Sequence, residues 1–336
     1  MAVSRAKDSA APDGSLRVAI VGAGGIGCYY GVRLMQAGHH VTLVARGKHL
    51  AVMQAQGLTL EHPDCRYRGA VTALDMPSLT RRHRPSDFDL LLLCVKANTT
   101  EILSGQIEQW FVASGEETAV VSLQNGVDNE AQLAARLGET SVIGGLAVRI
   151  GGHITRPGHV EATGPAQIVW GAWPDGRSGS AARREASLRR WTELFNAAGI
   201  PTRRVDDIRR ELWRKLVINN GVNPLSALTG LDTRSLSHHP ELGPMVRALM
   251  AEAAAAAAAD GVMLGEEDVE EMFLLIREFD AIKTSMLVDR EKGRPLELDP
   301  ISGAVIERCR RLGIDAPYTK SVVALLRHSL DHFGGG

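Results

Sequence analysis

A glycine turn between a short aliphatic strand and a helix constrains the fold of this chain more than any other feature. Gly22, Gly24 and Gly27 follow the predicted strand Leu16–Val21 and open a predicted helix. Glycine at these positions permits a tight turn, close approach of a ligand to the backbone and close packing of helix on strand. A purely structural turn is the alternative, but its place at the start of a strand and helix series favours a dinucleotide site. The predicted cofactor contacts of the turn are Gly22, Gly24, Gly25, Ile26 and Gly27.

Short aliphatic runs alternate with helical patterns from residue 16 to about residue 150, which is typical of parallel strands joined by helices. The predicted strands are Leu16–Val21, His40–Ala45, Phe88–Val95, Ala119–Leu123 and Val142–Val148. The predicted helices between them begin near Gly25, Asn98 and Asp128. The sequence therefore predicts an α/β fold with a Rossmann, doubly wound sheet.

Glycine-punctuated stretches after Arg149 predict antiparallel strands that extend this sheet. The stretch PDGRSGSAARRE is predicted to be a loop, before a helix at Leu188–Ala198 and a return strand at Ile200–Val205. From residue 207 onward the period is helical, which predicts an all-helical second domain. The predicted divisions are a disordered leader at 1–15, a dinucleotide-binding Rossmann domain at 16–205 and a helical domain at 206–333, with a hinge at Val205–Asp207.

Local signals also predict helix ends in the second domain. Asp299 is the predicted N-cap of a helix whose first position is Pro300, and Gly313 follows the last turn of that helix. The alanine run Ala253–Ala259 has high helix propensity and is predicted to form a close-packed helix.

Composition excludes several classes of function. Lys and Arg total 38 against 39 Asp and Glu, a net charge of -1 in 336 residues, so no global field favours nucleic acid or an anionic membrane. No apolar run was found to reach the length of a membrane span. The four cysteines are scattered, without the pairs of a zinc site, and we expect a reducing cytoplasm and no metal.

The end of the second strand indicates which dinucleotide is bound. Enzymes that use NAD usually place an acidic residue there for the ribose hydroxyl, whereas this chain has Arg46 in the sequence VTLVARGK. An arginine can pair with the 2′-phosphate of NADP, and Lys48 or Lys96 can add charge. A solvated surface arginine is the alternative.

Three polar residues fall on one face of a predicted helix. Lys215, Asn219 and Asn223 are spaced by four in ELWRKLVINNGVNP, provided that the helix persists to Pro224. The face is either solvated or functional. Hydride transfer to a ketone leaves charge on its oxygen, which an ammonium group can stabilise and protonate, so Lys215 suits a general acid.

At these residues the chain resembles the ketopantoate reductase family, also called 2-dehydropantoate 2-reductases. The resemblance covers nearly the whole chain beyond the leader. It is carried by the Gly22 turn, Lys96 in CVKAN, Asn125 in LQNGVDN, Lys215 in ELWRKLVIN, Asn223 in NPLSALTG, Ser285 in KTSMLVDR and Glu297 in GRPLELDP.

The resemblance implies NADPH-dependent reduction of 2-dehydropantoate to pantoate, a step toward pantothenate and coenzyme A. It implies that Lys215 is the general acid, that Asn219, Asn223 and Ser285 hold the substrate and that Glu297 binds its hydroxyl group. The residues it associates with the cofactor are Arg46, Lys96, Asn125 and Glu297.

Alternatives remain open for individual residues and for the whole chain. Glu297 also suits the N-terminus of a helix in any protein, and Ser285 is selected by the resemblance alone. Many family members have asparagine-glycine where this chain has Ser302-Gly303. A related 2-oxo acid reductase or β-hydroxyacid dehydrogenase is the second hypothesis, and a cofactor-sensing regulator is the third. The sequence leaves the oligomeric state open, with a homodimer as a candidate assembly.

Overall fold

The described residues form twelve strands, all in the first part of the chain. The computed structural model describes residues 14–174, 181–278 and 281–333. The strands are β1 (Arg17–Val21), β2 (His40–Val44), β3 (Leu58–His62), β4 (Cys65–Gly69), β5 (Thr72–Leu74), β6 (Leu90–Leu93), β7 (Ala119–Ser122), β8 (Val142–Val148), β9 (Gly151–Arg156), β10 (His159–Thr163), β11 (Gln167–Ala172) and β12 (Thr202–Arg204).

The helices lie between these strands and then dominate the rest of the chain. They are α1 (Gly25–Gln36), α2 (Gly47–Gln56), α3 (Met76–Arg82), α4 (Thr100–Ser114), α5 (Asn129–Leu137), α6 (Ala181–Ala197), α7 (Ile208–Thr229), α8 (Thr233–His238), α9 (Leu242–Ala257), α10 (Glu266–Glu278), α11 (Ser285–Glu291), α12 (Ala304–Arg311) and α13 (Pro317–Phe333).

The main sheet has eight strands in the order β12-β11-β8-β7-β6-β1-β2-β5. The six neighbouring strands β8, β7, β6, β1, β2 and β5 are all parallel. Strand β11 pairs with β8 antiparallel. Side chains of α1 and α6 pack on one face and those of α4 and α5 on the other. The predicted α/β fold and the predicted strands and helices of the first half are therefore confirmed. The apolar runs identified these strands because a central parallel strand, such as LLLL in β6, is buried on both faces.

The predicted extension of this sheet was only partly right. Of the strands after Arg149, β11 joins the main sheet, but β9 and β10 form a second sheet with β3 and β4 in the order β4-β3-β10-β9. Strand β10 runs parallel to β3, about a hundred residues earlier in the chain. Alternation of side chains marks a strand, but it does not identify the partner edge.

The predicted loop PDGRSGSAARRE was also too long. Residues 175–180 lie outside the described residues, but α6 begins at Ala181, seven residues before the predicted helix. The sequence AARRE consists of good helix formers, and their propensity outweighs the loop signal of the preceding glycines. The predicted leader lies almost entirely outside the described residues.

From Ile208 onward the described residues form helices, as predicted for this half. Helix α7 continues through Pro224 to Thr229, although an internal proline removes one backbone hydrogen bond. Burial of Pro224 with Val222 and Leu225 in the helical core offsets this loss. Lys215, Asn219 and Asn223 therefore do share one continuous helix.

The predicted alanine helix is α9, and it is the central helix of this half. With the turn that follows it, this helix covers Leu242–Asp260, which is long and apolar enough to span a membrane. The prediction that no segment reaches this length was therefore wrong. However, Ala253, Ala254, Ala256 and Ala257 are buried against neighbouring helices. The small side chains allow α7 to pack closely on α9, so the helix belongs to a protein core.

Asp299 is not an N-cap, contrary to the prediction. The helix begins at Leu298 and passes through a π-helical segment, Asp299–Gly303, before α12. Asp299 lies inside the first turn with an exposed side chain that pairs with Arg327 at 2.7 Å. The predicted end is confirmed, because α12 ends at Arg311 and Gly313 follows with a φ of 70°.

Candidate active site

The glycine turn joins β1 to α1 and is anchored to the neighbouring strand. The amide groups of Gly22 and Ala23 both donate to the carbonyl oxygen of Val44, at 3.0 and 2.9 Å. Gly22 has a φ of 104°, and a Cβ at Gly27 would lie 2.2 Å from the Gly22 carbonyl oxygen. Both positions therefore require glycine for the turn itself.

Gly24 has a different environment, because a Cβ there would meet no atom within 4 Å. It is the N-cap of α1, and no side chain caps this helix. The free amide groups of the first turn and the open space above them suit a phosphate group, since a helix N-terminus binds anions. The turn thus fits the pyrophosphate of a dinucleotide.

Gly25 is held by a contact that the sequence analysis missed. A Cβ at Gly25 would lie 2.0 Å from the carbonyl carbon of Gly152 and 2.2 Å from the amide nitrogen of His153. Strand β9 of the second sheet therefore crosses directly against the first residue of α1. The hydrogen atoms on the Gly25 Cα face β9, so only the amide group of Gly25 is left to contact a ligand.

Arg46 lies one residue after Ala45, at the carboxyl end of β2, and is the N-cap residue of α2. Its side chain is exposed, as is that of Lys48. Within residues 14–174, 181–278 and 281–333, Arg46 makes no ion pair or side-chain hydrogen bond. The guanidinium group is therefore available to a ligand at the strand end.

Glu297 joins the two halves of the chain. Its carboxylate is buried and accepts hydrogen bonds from the Ala97 amide at 2.9 Å and from Lys96 Nζ at 3.0 Å. Asn125 Nδ2 donates to the same carboxylate at 3.3 Å. Lys96 and Asn125 follow β6 and β7, so Glu297 binds the carboxyl edge of the parallel sheet, where ligands of such folds bind. Glu297 also directly precedes the helix that begins at Leu298, so a position near a helix N-terminus and bonds to this edge occur together.

Lys96 also bonds to Asp289 of α11, at 2.7 Å. Burial by itself would lower the pKa of the Lys96 ammonium, but the Glu297 and Asp289 carboxylates outweigh burial and raise the pKa above its ordinary value. Lys96 is therefore a fixed positive charge. Asp289 lies in the segment KTSMLVDR, but no local pattern in the sequence marks it as part of the site.

A chain of buried hydrogen bonds holds the loop of Asn125. Gln124 donates to Thr100 at 2.7 Å, Thr100 donates to Asn129 at 2.8 Å, and Asn129 donates to the Asn125 carbonyl oxygen at 2.8 Å. These bonds fix the backbone and leave the Asn125 amide group directed at Glu297.

Lys215 approaches the same region from α7. Its Nζ donates to the Ala147 carbonyl oxygen of β8 at 2.7 Å. Burial lowers the pKa of Lys215 from 10.5 to about 8, although the carboxylates of Glu297 and Glu130 each act to raise it. An ammonium group with this pKa is charged at neutral pH and releases a proton more readily than an exposed lysine.

Asn219 and Asn223 lie one and two turns beyond Lys215 on α7. Asn223 is buried and Asn219 half-buried, and neither side chain has a hydrogen-bond partner among the described residues. Their amide atoms are not among the fully buried side-chain atoms without partners, so they are accessible and free to bond to a ligand. Ser285 is exposed as the first residue of α11 and contacts none of the other candidate side chains through a hydrogen bond.

The sequence of the chain matches two adjoining models of one family. Residues 18–175 match "Ketopantoate reductase PanE/ApbA", and residues 207–330 match "Ketopantoate reductase PanE/ApbA C terminal". The chain belongs to the ketopantoate reductase family. It is therefore an oxidoreductase that depends on a nicotinamide dinucleotide, and the predicted family is confirmed.

Individual relatives agree with this family. A 2-dehydropantoate 2-reductase of Archaeoglobus fulgidus is 31% identical over 312 residues, which cover 93% of this chain and 97% of the relative. The crystal structure of a PanE/ApbA family ketopantoate reductase from Ralstonia eutropha has a TM-score of 0.80 at 31% identity and covers 94% of this chain and 99% of that chain. A D-mandelate dehydrogenase with NADH and anilino(oxo)acetate has a TM-score of 0.83 at 22% identity, with 94% and 98% covered, and shares the fold.

Proposed function

We propose that the protein reduces 2-dehydropantoate to pantoate with NADPH. The observation that carries this proposal is the position of Lys215, a half-buried ammonium group with a pKa of about 8, electrostatically coupled to Glu297 at the carboxyl edge of the parallel sheet. The named activity of the 31% identical relative supports the choice of substrate.

Residues of the first half would hold the cofactor. The amide groups at Gly24, Gly25 and Ile26 would bind the pyrophosphate, and Arg46 would pair with the 2′-phosphate. Asn125 would contact the nicotinamide side, where Lys96 and Glu297 already meet. When bound, NADPH supplies the hydride that reduces the ketone carbon.

Lys215 would stabilise the charge that develops on the ketone oxygen and then transfer its proton to that oxygen. The low pKa favours this transfer, because the amine that remains is uncharged in a buried place. Its bond to the Ala147 carbonyl oxygen directs Nζ while leaving other donor positions for the substrate.

The unpaired amides of α7 would orient the substrate. Asn219 and Asn223 would donate hydrogen bonds to its carboxylate, and Ser285 would do so from α11. Glu297 would accept a hydrogen bond from its hydroxyl group. Lys96 pairs with the Asp289 and Glu297 carboxylates, and Lys215 adds a second positive charge that would favour an anionic substrate.

The test is to mix the purified protein with NADPH and 2-dehydropantoate and to follow the loss of NADPH absorbance. A panel of other 2-oxo acids, including aromatic ones, serves as the comparison. We expect the highest kcat/KM for 2-dehydropantoate. A higher kcat/KM for another oxo acid would overturn the substrate assignment, and NADPH binding without any turnover would favour a sensor.

Arg46→Ala tests the choice of cofactor. Because a charge-assisted hydrogen bond to phosphate is lost, we expect the KM for NADPH to rise about 10- to 100-fold, with the KM for NADH nearly unchanged. Arg68→Ala, which removes an exposed arginine of β4, is the matched control. Equal effects of Arg46→Ala on both cofactors would contradict a 2′-phosphate site.

The pH profile of reduction tests the protonation state of Lys215. The active form carries the proton, so kcat/KM is expected to be constant below the pKa and to fall as pH rises through about 8. Above that value a single ionisation gives a fall of about tenfold per pH unit. Circular dichroism at each pH checks that the fold persists. A profile that is flat from pH 7 to about pH 10 would argue against Lys215 as the acid.

A further inference from the structure

One buried acidic side chain close to the site has no role in the proposed mechanism. Glu130, the second residue of α5, is fully buried, and neither carboxylate oxygen has a well-formed hydrogen bond among the described residues. The hydroxyl group of Ser122 lies close enough to interact with this carboxyl group, but it too has no well-formed hydrogen bond to any described residue. A carboxyl group left in this state is costly, so its position calls for an explanation.

Glu130 and Lys215 approach the same strand. A Cβ at Gly144 of β8 would lie 3.6 Å from Glu130 Cγ and 3.0 Å from the side chain of Ile208, the first residue of α7. Lys215, two turns further along α7, bonds to the carbonyl oxygen of Ala147 on the same strand. The lack of a side chain at Gly144 allows Ile208 and the side chain of Glu130 to lie against the same residue of β8.

The electrostatics agree with this placement. Burial raises the pKa of Glu130 from 4.5 to about 7, with Asp128 adding to the rise and with Ser122, the Gly145 amide and its own amide opposing it. The Glu130 carboxylate in turn acts to raise the pKa of Lys215, as Glu297 does. Glu130 thus ionises in the pH range in which Lys215 holds its proton.

We propose that buried Glu130 is a positioning residue whose carboxyl group holds Lys215 in its charged form. Glu297 serves the same end and is bonded to Lys96, Ala97 and Asn125, whereas Glu130 bonds to none of these groups and packs on β8, the strand to which Lys215 bonds. The electrostatic coupling between Glu130 and Lys215 is independent of the proposed function. Its effect on catalysis rests on the proposed role of Lys215 as general acid.

The coupling can be measured without turnover. Competitive acetylation with acetic anhydride, followed by mass spectrometry of the Lys215 peptide, gives the pH at which Lys215 loses its proton. We expect a midpoint near 8 in the wild type and, in Glu130→Gln, a midpoint lower by about half a unit to one unit, because the variant cannot supply a negative charge. Glu117→Gln removes an exposed carboxylate of the same half and should leave the midpoint unchanged. An unchanged midpoint in folded Glu130→Gln would overturn the proposal.

A reciprocal measurement keeps the test open if Glu130→Gln does not fold. In Lys215→Met the carboxyl group loses its ammonium neighbour, so the infrared band of protonated Glu130 should persist to higher pH than in the wild type. The same titration in both proteins would refute the coupling. The pH profile of kcat/KM then separates the two hypotheses: a shift in acetylation accompanied by an equal shift in kcat/KM supports both, whereas a shift in acetylation alone supports the coupling and removes the general-acid role.

Discussion

Lys215→Ala is expected to lower kcat about 10²- to 10⁴-fold, because it removes both the proton donor and the charge that stabilises the developing alkoxide. Binding of NADPH, measured by its fluorescence, should be retained, since the glycine turn and Arg46 are untouched. The free energy of unfolding, measured in urea, checks that the loss arises in the chemical step.

Lys320→Ala is the matched control for this variant, because Lys320 is an exposed lysine of α13 whose partner is the exposed Asp315. It should retain wild-type kcat. A kcat for Lys215→Ala within tenfold of the wild-type value would show that another group protonates the product.

Two neighbouring glycines should respond in opposite ways to alanine. In Gly25→Ala the new Cβ would meet the backbone of Gly152 and His153 at 2.0 and 2.2 Å, so β9 or α1 must move. We expect the free energy of unfolding to fall by about 3 kcal/mol, a typical cost of overpacking against a rigid backbone. Urea denaturation followed by circular dichroism measures this loss.

Gly24→Ala is both the control and a test of the cofactor site. No atom lies within 4 Å of the new Cβ, so the free energy of unfolding should change by less than about 0.5 kcal/mol. The methyl group would occupy the space above the free amides, and NADPH binding should weaken at least about tenfold. Equal unfolding free energies for Gly24→Ala and Gly25→Ala would contradict the close packing of β9 on α1, and unchanged NADPH binding in Gly24→Ala would contradict the pyrophosphate site.

Much of the framework is written in local sequence. The run from β1 through the glycine turn to α1 is specified by neighbouring residues, because turn geometry and side-chain period are properties of a few consecutive positions. The same holds for the shared face of Lys215, Asn219 and Asn223, which needed only a continuous α7. The boundary near residue 206 and the hinge remain predictions.

Local sequence patterns identified the cofactor turn and the helix of Lys215, and the resemblance to a family added Glu297. Each was predicted separately, without its spatial neighbours. The tertiary structure decided how they meet: Glu297 bonds to Lys96 across 201 positions and to Asn125 across 172. Local patterns contain no information about contacts at such separations, which depend on how the helical half packs on the edge of the sheet. For the same reason Asp289, Glu130 and the approach of β9 to Gly25 became evident only in the folded chain.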